Sequence, residues 1–578
     1  SVKATGKLKN LSEKVDGGRA ITGTCGIGHT RWATHGAPSQ TNAHPHVSGN
    51  CTGSGSGIVE SDVAGVHNGI IENFQELKDK LIKHGYTFYS QTDTEVLIKL
   101  IDYYYKKYKV GPIDAIAKTM VRVRGSYALE VIFKDFPGEI YVARKDSPMI
   151  IGVAGGETYI ASDVPAILGY TRSVYYIENN EMARLSAGEA VFYDLNGDVV
   201  NKELTEITFS AEAAEKGGFE HFMMKEIHEQ PKAVRDTLNS VIKDGDIDLS
   251  ATGLTDEIIS GVEQVYFVAC GSAWHVGMTQ QYIFEDIAKV PVRVELASEF
   301  RYRNLPMNEH TLVIIISQSG ETADSLAALR EANSRGVRTL AIVNVVGSSI
   351  AREADHVFYT LAGPEIAVAT TKAFSAQLAA CYCIAMRFAK VRGFISDQTF
   401  KEMLDELLTI PEKIEKTIEN KERIQWFAAK FVNATDVFFI GRGLDYAVGL
   451  EGSLKMKEIS YIHSEAYAAG ELKHGTISLL ENGTFVIGIL TQSELYEKTI
   501  SNMVECKARG AYLMGLTTYG NYSIEDTANF TVYVPETDEH FTPSLTVVPL
   551  QMLGYYISVA RGLDVDKPRN LAKSVTVE

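Results

Sequence analysis

Cysteine is scarce: Cys25, Cys51, Cys270, Cys381, Cys383 and Cys506 are the six in 578 residues, with neither zinc-like spacing nor the density of a disulfide scaffold. Reduced thiols in a cytosolic setting are therefore expected. No apolar run reaches the roughly 18 to 20 residues that span a bilayer, and residues 1–20 lack the apolar core of a signal peptide. Clusters of Lys and Arg are also scarce, and the net charge is -17. Nucleic acid and membrane surfaces, both anionic, would be repelled, although a small anionic metabolite needs only a local set of donors.

What is present is apolar content of 45% over a length that exceeds one hydrophobic core, so several domains are expected. Residues 21–208 mix short alternating runs such as EIYVAR with turn signals, and carry two helical patterns, near Glu72–His84 and Thr94–Tyr108. This reads as a strand-rich α+β domain. Around Ser210–Gly218 the composition shifts to AEAAEKGG, which marks a linker. Beyond it, continuous apolar strands alternate with helical segments, the signature of parallel sheets covered on both faces.

The second half is internally repeated. VYFVACG (Val265–Gly271) matches VFFIGRG (Val437–Gly443), ASEF matches AGEL, and LVIIISQSGE matches FVIGILTQSE. Cys270 to Arg442 and Glu299 to Glu471 are each offset by 172, and Gln318 to Gln492 by 174, so one α/β unit is duplicated in tandem.

LVIIISQSGETADS (Leu312–Ser325) runs a buried strand into Ser317, Gln318, Ser319 and Thr322, with Gly320 allowing close backbone approach and a helical pattern following. Ligands of open parallel sheets bind beyond the carboxyl ends of strands, where helix N-termini offer N–H groups to anions. A phosphate fits without any Lys or Arg. The competing explanation is plain helix capping, which needs one such residue rather than four. The turn carrying Gly271 and Ser272 would face the same crevice.

These residues resemble the sugar isomerase (SIS) fold. LEGSLKMKEISYIHSEAYAAGELKHG and DKPRNLAKSVTVE further resemble the glutamine–fructose-6-phosphate aminotransferase family, over essentially the whole chain. Glu451, Lys455 and Glu458 share one helical stripe beside Leu450, Leu454 and Tyr461. A solvated ion pair is the commoner fate of that spacing; partial burial would instead tune a carboxylate to move a proton between adjacent sugar carbons. The resemblance makes Glu458 that base, with Glu451 and Lys455 supporting it. It assigns sugar-ring opening to His474, which taken alone reads as a structural histidine, and a Schiff base with the open ketose to Lys573. A terminal segment that would otherwise read as a frayed tail then folds into the crevice with Arg569 and Ala572. Ser272 stands where the family often has threonine, Ala273 where serine is frequent, and Thr370 replaces serine.

In the first half, GHTRWATHG (Gly28–Gly36), NAHPHVS, VHNGIIEN and QTDTEV resemble the class II glutamine amidotransferase domain, an N-terminal-nucleophile fold. The resemblance implies that Arg31 holds the glutamine carboxylate, Asp93 its ammonium, and Asn68 with Gly69 the oxyanion. Trp32, Thr34 and His35 complete the glutamine set, Trp32 sealing the path of ammonia. Read locally, Asp93 is a helix N-cap and Asn68-Gly69 a hairpin turn. The family's nucleophile is a cysteine at the mature N-terminus, whereas residue 1 here is Ser; the expectation is that several dozen preceding residues, nucleophile included, lie outside this sequence. Cys25 reads as a structural strand residue and Cys51 as a loop thiol.

The expected architecture is a multidomain chain: an N-terminal α+β class II glutamine amidotransferase (Ntn-type) domain at 1–208, a linker with connecting helices at 209–254, SIS domains at 255–394 and 427–568, and a tail at 569–578. The implied activity is conversion of fructose 6-phosphate and glutamine to glucosamine 6-phosphate, the first step toward UDP-N-acetylglucosamine, in the cytoplasm. It involves no metal or organic cofactor and runs in a homodimer in which a neighbouring subunit's His474 completes the sugar site. The rival expectations are a phosphosugar isomerase or ammonia-dependent synthase without glutaminase activity, a non-catalytic phosphosugar sensor, and a related deglycating enzyme.

Overall fold

The computed structural model describes residues 1–31, 36–49, 61–207 and 215–576. The chain divides into two compact units, Ser1–Ala211 with Thr576–Glu578, and Glu212–Val575.

The first unit is built on an antiparallel seven-stranded sheet whose middle strands, Val63–Ile71, Gly125–Phe133 and Ile140–Lys145, pair in that order. Period-two alternation sends neighbouring residues to opposite faces. Leu129, Val131, Tyr141 and Ala143 join the helices Phe74–Lys83 and Asp93–Tyr108 in one core, while Ala128, Val142 and Ala183 meet Met149 and Ile151 in another. Ile151 belongs to a second, four-stranded sheet. The sheet thus has helices on one face and a sheet on the other, the strand-rich α+β arrangement expected from residues 21–208. Among the described residues around Cys25 there is no strand, and Cys25 is exposed, which corrects its reading as a strand residue.

The second unit opens with the helix Phe222–Val241, which packs on the helix Lys372–Val391. Its first sheet comprises β1 (Gln264–Ala269), β2 (Val292–Leu296), β3 (Thr311–Ser317), β4 (Arg338–Val343) and β5 (His356–Tyr359), all parallel in the order β2-β1-β3-β4-β5. The second comprises β6 (Asp436–Gly441), β7 (His463–Ala468), β8 (Phe485–Leu490), β9 (Tyr512–Thr518) and β10 (Phe530–Val534), parallel in the matching order β7-β6-β8-β9-β10. The duplication read from the constant offset is therefore a duplication of topology. Leu312 to Ile316 in β3 are each fully buried, which at about 2 kcal/mol per large aliphatic side chain fixes the strand whose end carries the site.

The two sheets share one core. The helices Gly271–Ile283, Lys372–Val391, Leu444–Ser460 and Pro543–Ala560 contribute to it from both copies, and Leu444–Ser460 packs directly on Gly271–Ile283. That contact carries side chains of the second copy to the first.

Candidate active sites

Where β3 ends, the chain makes a tight turn into the helix Ala323–Ser334. Gly320 has φ 65°, and a Cβ there would lie 2.0 Å from Ser348 Oγ, so the position requires glycine. Ser317 Oγ accepts from Gly320 N–H (3.1 Å) and shares a hydrogen bond with Thr322 Oγ1 (3.0 Å), while Ser319 Oγ accepts from Glu321 N–H (3.1 Å). Thr322 occupies the N-cap position, yet its side chain makes no capping bond to the helix. The capping explanation for this hydroxyl-rich turn is therefore not what the chain uses.

The terminal segment closes over the turn. Ser574 Oγ bonds Ser319 Oγ (2.9 Å), and Ala323 N–H donates to Val575 O (3.0 Å). Just before them in the chain, Lys573 is half-buried, its Nζ donating to Glu365 Oε2, Ala367 O (2.9 Å) and Thr370 Oγ1 (3.4 Å). Glu365 is buried and also accepts from Thr370 Oγ1 (2.6 Å) and the N–H groups of Thr371 and Ala373. Burial opposes its ionisation, but the Lys573 charge and these donors hold the carboxyl below the ordinary range. Glu226, on the helix Phe222–Val241, accepts from the N–H groups of Ile366 and Ala367. Burial, followed by the charge of Glu365, pushes its carboxyl up.

Glu451, Lys455 and Glu458 project from the helix Leu444–Ser460. Glu451 and Lys455 are fully buried, which excludes a solvated surface pair. Lys455 Nζ lies 3.4 Å from Glu451 Oε1 and also bonds Glu458 Oε2, whose side chain keeps 20% exposure. Ser272 Oγ donates to Glu451 Oε1 (2.9 Å), and His275 Nδ1 lies 2.7 Å from Oε2. Burial opposes a charged Lys455, but Glu451, Glu458 and then Glu365 hold it as an ammonium. Glu365 thus bonds Lys573 while its charge also acts on Lys455, coupling the terminal segment electrostatically to the second-copy helix.

Ser317, Ser319, Thr322, Thr370 and Lys573 come together around the turn and the terminal segment, with Ala572 beside Lys573 in the chain. Gln318 uses its backbone oxygen to accept from Asn344 N–H (3.1 Å). Ser272 turns to Glu451 rather than to the β3 turn. Arg569 is exposed, with its N–H on Tyr461 OH (2.7 Å) and its guanidinium over that ring. His474 is exposed at the end of the short helix Ala469–His474 and has no hydrogen bond to the other site residues among those described. Sequence reasoning missed Glu365, Glu226, His275 and Ser574. The one available signal was an acidic residue inside the apolar loop LAGPEIAVA, just past β5.

In the first unit Asn68 and Gly69 sit inside the strand Val63–Ile71, opposite Ala128 and Tyr127, and not in a hairpin turn. Gly69 has φ 143°, and a Cβ there would lie 2.1 Å from Ser126 O. The cap of the helix Asp93–Tyr108 is Thr92, whose hydroxyl accepts from Glu95 N–H. Asp93 is left to accept from Ile71 N–H (2.9 Å) and Thr94 N–H (2.9 Å). Arg31 donates to Gly36 O (2.8 Å) and Ala37 O (3.3 Å); burial lowers its pKa while the charge of Asp93 acts against that. Arg31, Asp93 and the Asn68-Gly69 strand therefore share one neighbourhood. Trp32, Thr34, His35 and Cys51 lie outside the described residues. In the same unit His29 stacks on His44 at 4.4 Å, and burial pushes His29 down to about 4 and His46 to about 3, keeping both neutral.

The sequence matches the glutamine amidotransferase domain over residues 56–169 and the SIS domain twice, over 258–387 and 430–561. A glutamine–fructose-6-phosphate aminotransferase (isomerizing) of Caldanaerobacter subterraneus subsp. tengcongensis is 53% identical over 577 residues, covering 100% of this chain and 93% of the relative. The enzyme of that name from Methanosarcina acetivorans is 45% identical over 584 residues, with 100% and 93% covered. Among solved structures, the C-terminal domain of glucosamine-fructose-6-phosphate aminotransferase from Francisella tularensis aligns with TM-score 0.59 and 37% identity, over 61% of this chain and all of that one. With full-length relatives at this identity, the chain belongs to the glutamine–fructose-6-phosphate aminotransferase (isomerizing) family.

Proposed function

We propose that the chain converts fructose 6-phosphate to glucosamine 6-phosphate with nitrogen drawn from glutamine. The observation that carries this reading is Lys573, held by Glu365 and Ala367 O while the next residue, Ser574, bonds the β3 turn. An amine fixed beside an anion cradle is what Schiff-base chemistry on a phosphosugar needs.

In this reading the phosphate rests on Ser317, Ser319 and Thr322 and the N–H groups of their turn. The Lys573 amine adds to the ketose C2 carbonyl once its proton has passed to a neighbouring carboxylate, and water leaves to give the imine. Ammonia then displaces the lysine, and Glu458 carries the proton from C1 to C2, with Lys455 and Glu451 fixing its position. Arg31 and Asp93 hold the carboxylate and ammonium of glutamine, while Asn68 and Gly69 stabilise the oxyanion during hydrolysis. The boundaries follow the division 1–208, 209–254, 255–394, 427–568 and 569–578. No helix among the described residues is long and apolar enough to cross a membrane. The proposed setting is cytoplasmic, in a homodimer whose second chain brings the exposed His474 to ring opening.

Borohydride reduction in the presence of fructose 6-phosphate tests this reading, with free ammonia as nitrogen donor so that glutamine hydrolysis does not limit the outcome. The expected result is a reduced hexose phosphate adduct on Lys573, together with glucosamine 6-phosphate formation that Lys573→Met abolishes. Absence of both adduct and product would refute it.

A further inference from the structure

The two sugar-fold copies are in close enough register to compare position by position. β1 and β6 are offset by 172 residues at both ends, and β3 and β8 begin 174 apart. On that register Ser317, Gln318 and Ser319 correspond to Thr491, Gln492 and Ser493, and Ala273 corresponds to Asp445. The second copy therefore keeps a hydroxyl–amide–hydroxyl turn beyond its central strand, beside the N-terminus of the 17-residue helix Leu444–Ser460.

The two turns are filled differently. Asp445 is only 3% exposed, and its Oδ2 accepts from the N–H groups of Thr491 (2.8 Å) and Gln492 (3.3 Å), while Oδ1 accepts from Thr491 Oγ1 (2.5 Å). Ser493 N–H donates to Glu539 Oε1 (2.8 Å), from the loop that follows β10 as the Glu365 loop follows β5. Three successive backbone N–H groups of the second turn are thus taken by the chain's own carboxylates. Among the described residues no carboxylate accepts from Ser317, Gln318, Ser319 or Gly320. Where the second copy projects a carboxylate from the first turn of its helix, the first copy has only the methyl of Ala273. Carboxylate and phosphate oxygens compete for the same N–H and hydroxyl donors.

We propose that Asp445 is the residue that denies the second cradle to phosphate. Its carboxylate takes the place of a phosphate oxygen, so that the chain holds one sugar phosphate, in the first copy, and removing that carboxylate opens a second phosphate site at Thr491–Ser493. The proposal rests on the reading that the first cradle binds phosphate.

The test counts bound inorganic phosphate per chain by equilibrium dialysis, and locates it in phosphate-soaked crystals, for the full chain and for Asp445→Ala. Asp445→Ser is a second variant that leaves a hydroxyl for Thr491 N–H should the alanine fail to fold. Ammonia-dependent synthesis at the parent rate reports an intact first copy. The expected count is one phosphate in the parent and two in a folded variant, the additional one at Thr491–Ser493. Two in the parent, or one in a folded variant, would overturn this proposal. No phosphate at the first turn of the parent would instead overturn the reading of that turn as the sugar-phosphate cradle.

Discussion

Replacing Lys455 with methionine removes a charge and keeps most of the volume, so its effect isolates the buried ion pair. Glu451 then remains fully buried without its cation, and stranding one partner of a buried pair costs about 3–5 kcal/mol. The hydrogen bonds from Ser272 and His275 survive, which places the expectation at about 3 kcal/mol. At about 2.1 cal/mol/K per residue over a unit of roughly 360 residues, this lowers its thermal midpoint by about 4 °C. The loss depends on pH. In the parent, burial raises the Glu451 pKa but Lys455, and then His275, bring it below the ordinary value. That stability is present above the unfolded carboxylate pKa and fades as pH falls through the lower folded one. In the variant burial goes unopposed by Lys455, the folded pKa rises above the unfolded one, and stability is lost as pH climbs through it. Calorimetry on Lys455→Met should therefore show a deficit that widens from about pH 5 to about pH 8. The Glu451→Gln/Lys455→Met double variant should recover about 2 kcal/mol of that deficit, since no stranded charge remains. A single-variant loss under about 1 kcal/mol, independent of pH, is the behaviour of an exposed pair and would refute the argument.

Gly320→Ala places a Cβ 2.0 Å from Ser348 Oγ at φ 65°; fructose 6-phosphate affinity should fall at least about 10-fold in calorimetric titration while the protein stays folded, and unchanged affinity would separate this turn from the phosphate. Glu226→Gln keeps an acceptor for the N–H groups of Ile366 and Ala367 and removes a carboxyl whose pKa is raised, first by burial and then by Glu365. Stability tied to a raised carboxyl is lost as pH rises from the unfolded value of about 4.5 through the folded value of about 8, so the variant's thermal midpoint should gain on the parent's across that window; parallel curves would contradict the assignment. Asp93→Asn removes a charge from the acceptor of Ile71 and Thr94 N–H, and the KM for glutamine should rise about 10-fold or more while ammonia-dependent turnover holds; equal losses in both would point to a structural role.

Parallel strands buried on both faces must be apolar throughout, and a duplicated unit must repeat that pattern, so both sheets of the second unit could be read from LVIIIS, VYFVAC and the constant offsets. In the first unit the helical periods near Glu72–His84 and Thr94–Tyr108 correspond to Phe74–Lys83 and Asp93–Tyr108. Local reading failed where a tertiary partner overrides a propensity. Asn-Gly favours a turn, yet Gly69 sits in mid-strand because the backbone approaches Ser126 O too closely for any Cβ. Asp favours a cap, but Thr92 takes that role and frees Asp93 for Ile71. Cys25 has alternating neighbours but lies outside every strand among the described residues. Glu226 carries no local pattern and Glu365 only its place in an apolar loop, since Ile366 lies 140 positions from the first and Lys573 lies 208 from the second.

The charges around the proposed sugar site give a physical reason for a phosphate cradle built from serines. Glu451, Glu458 and Glu365 alternate with Lys455 and Lys573, and each lysine is already shared with a carboxylate. A sugar phosphate adds further negative charge to a pocket with no spare cation among these groups, in a chain of net charge -17. In the proposed reaction, recruiting either lysine to the phosphate would strand a buried glutamate and withdraw the Lys573 amine from the carbonyl or Lys455 from its place beside Glu458. Neutral N–H and hydroxyl donors avoid that conflict, because they stabilise an anion through aligned dipoles and leave the ion pairs intact. On this argument an arginine introduced at Ser319 should tighten phosphate binding and slow synthesis together, by drawing Glu365 or Glu458 away from its lysine. Faster synthesis at lower KM in Ser319→Arg would show that the balance of buried charge does not constrain how this site holds phosphate.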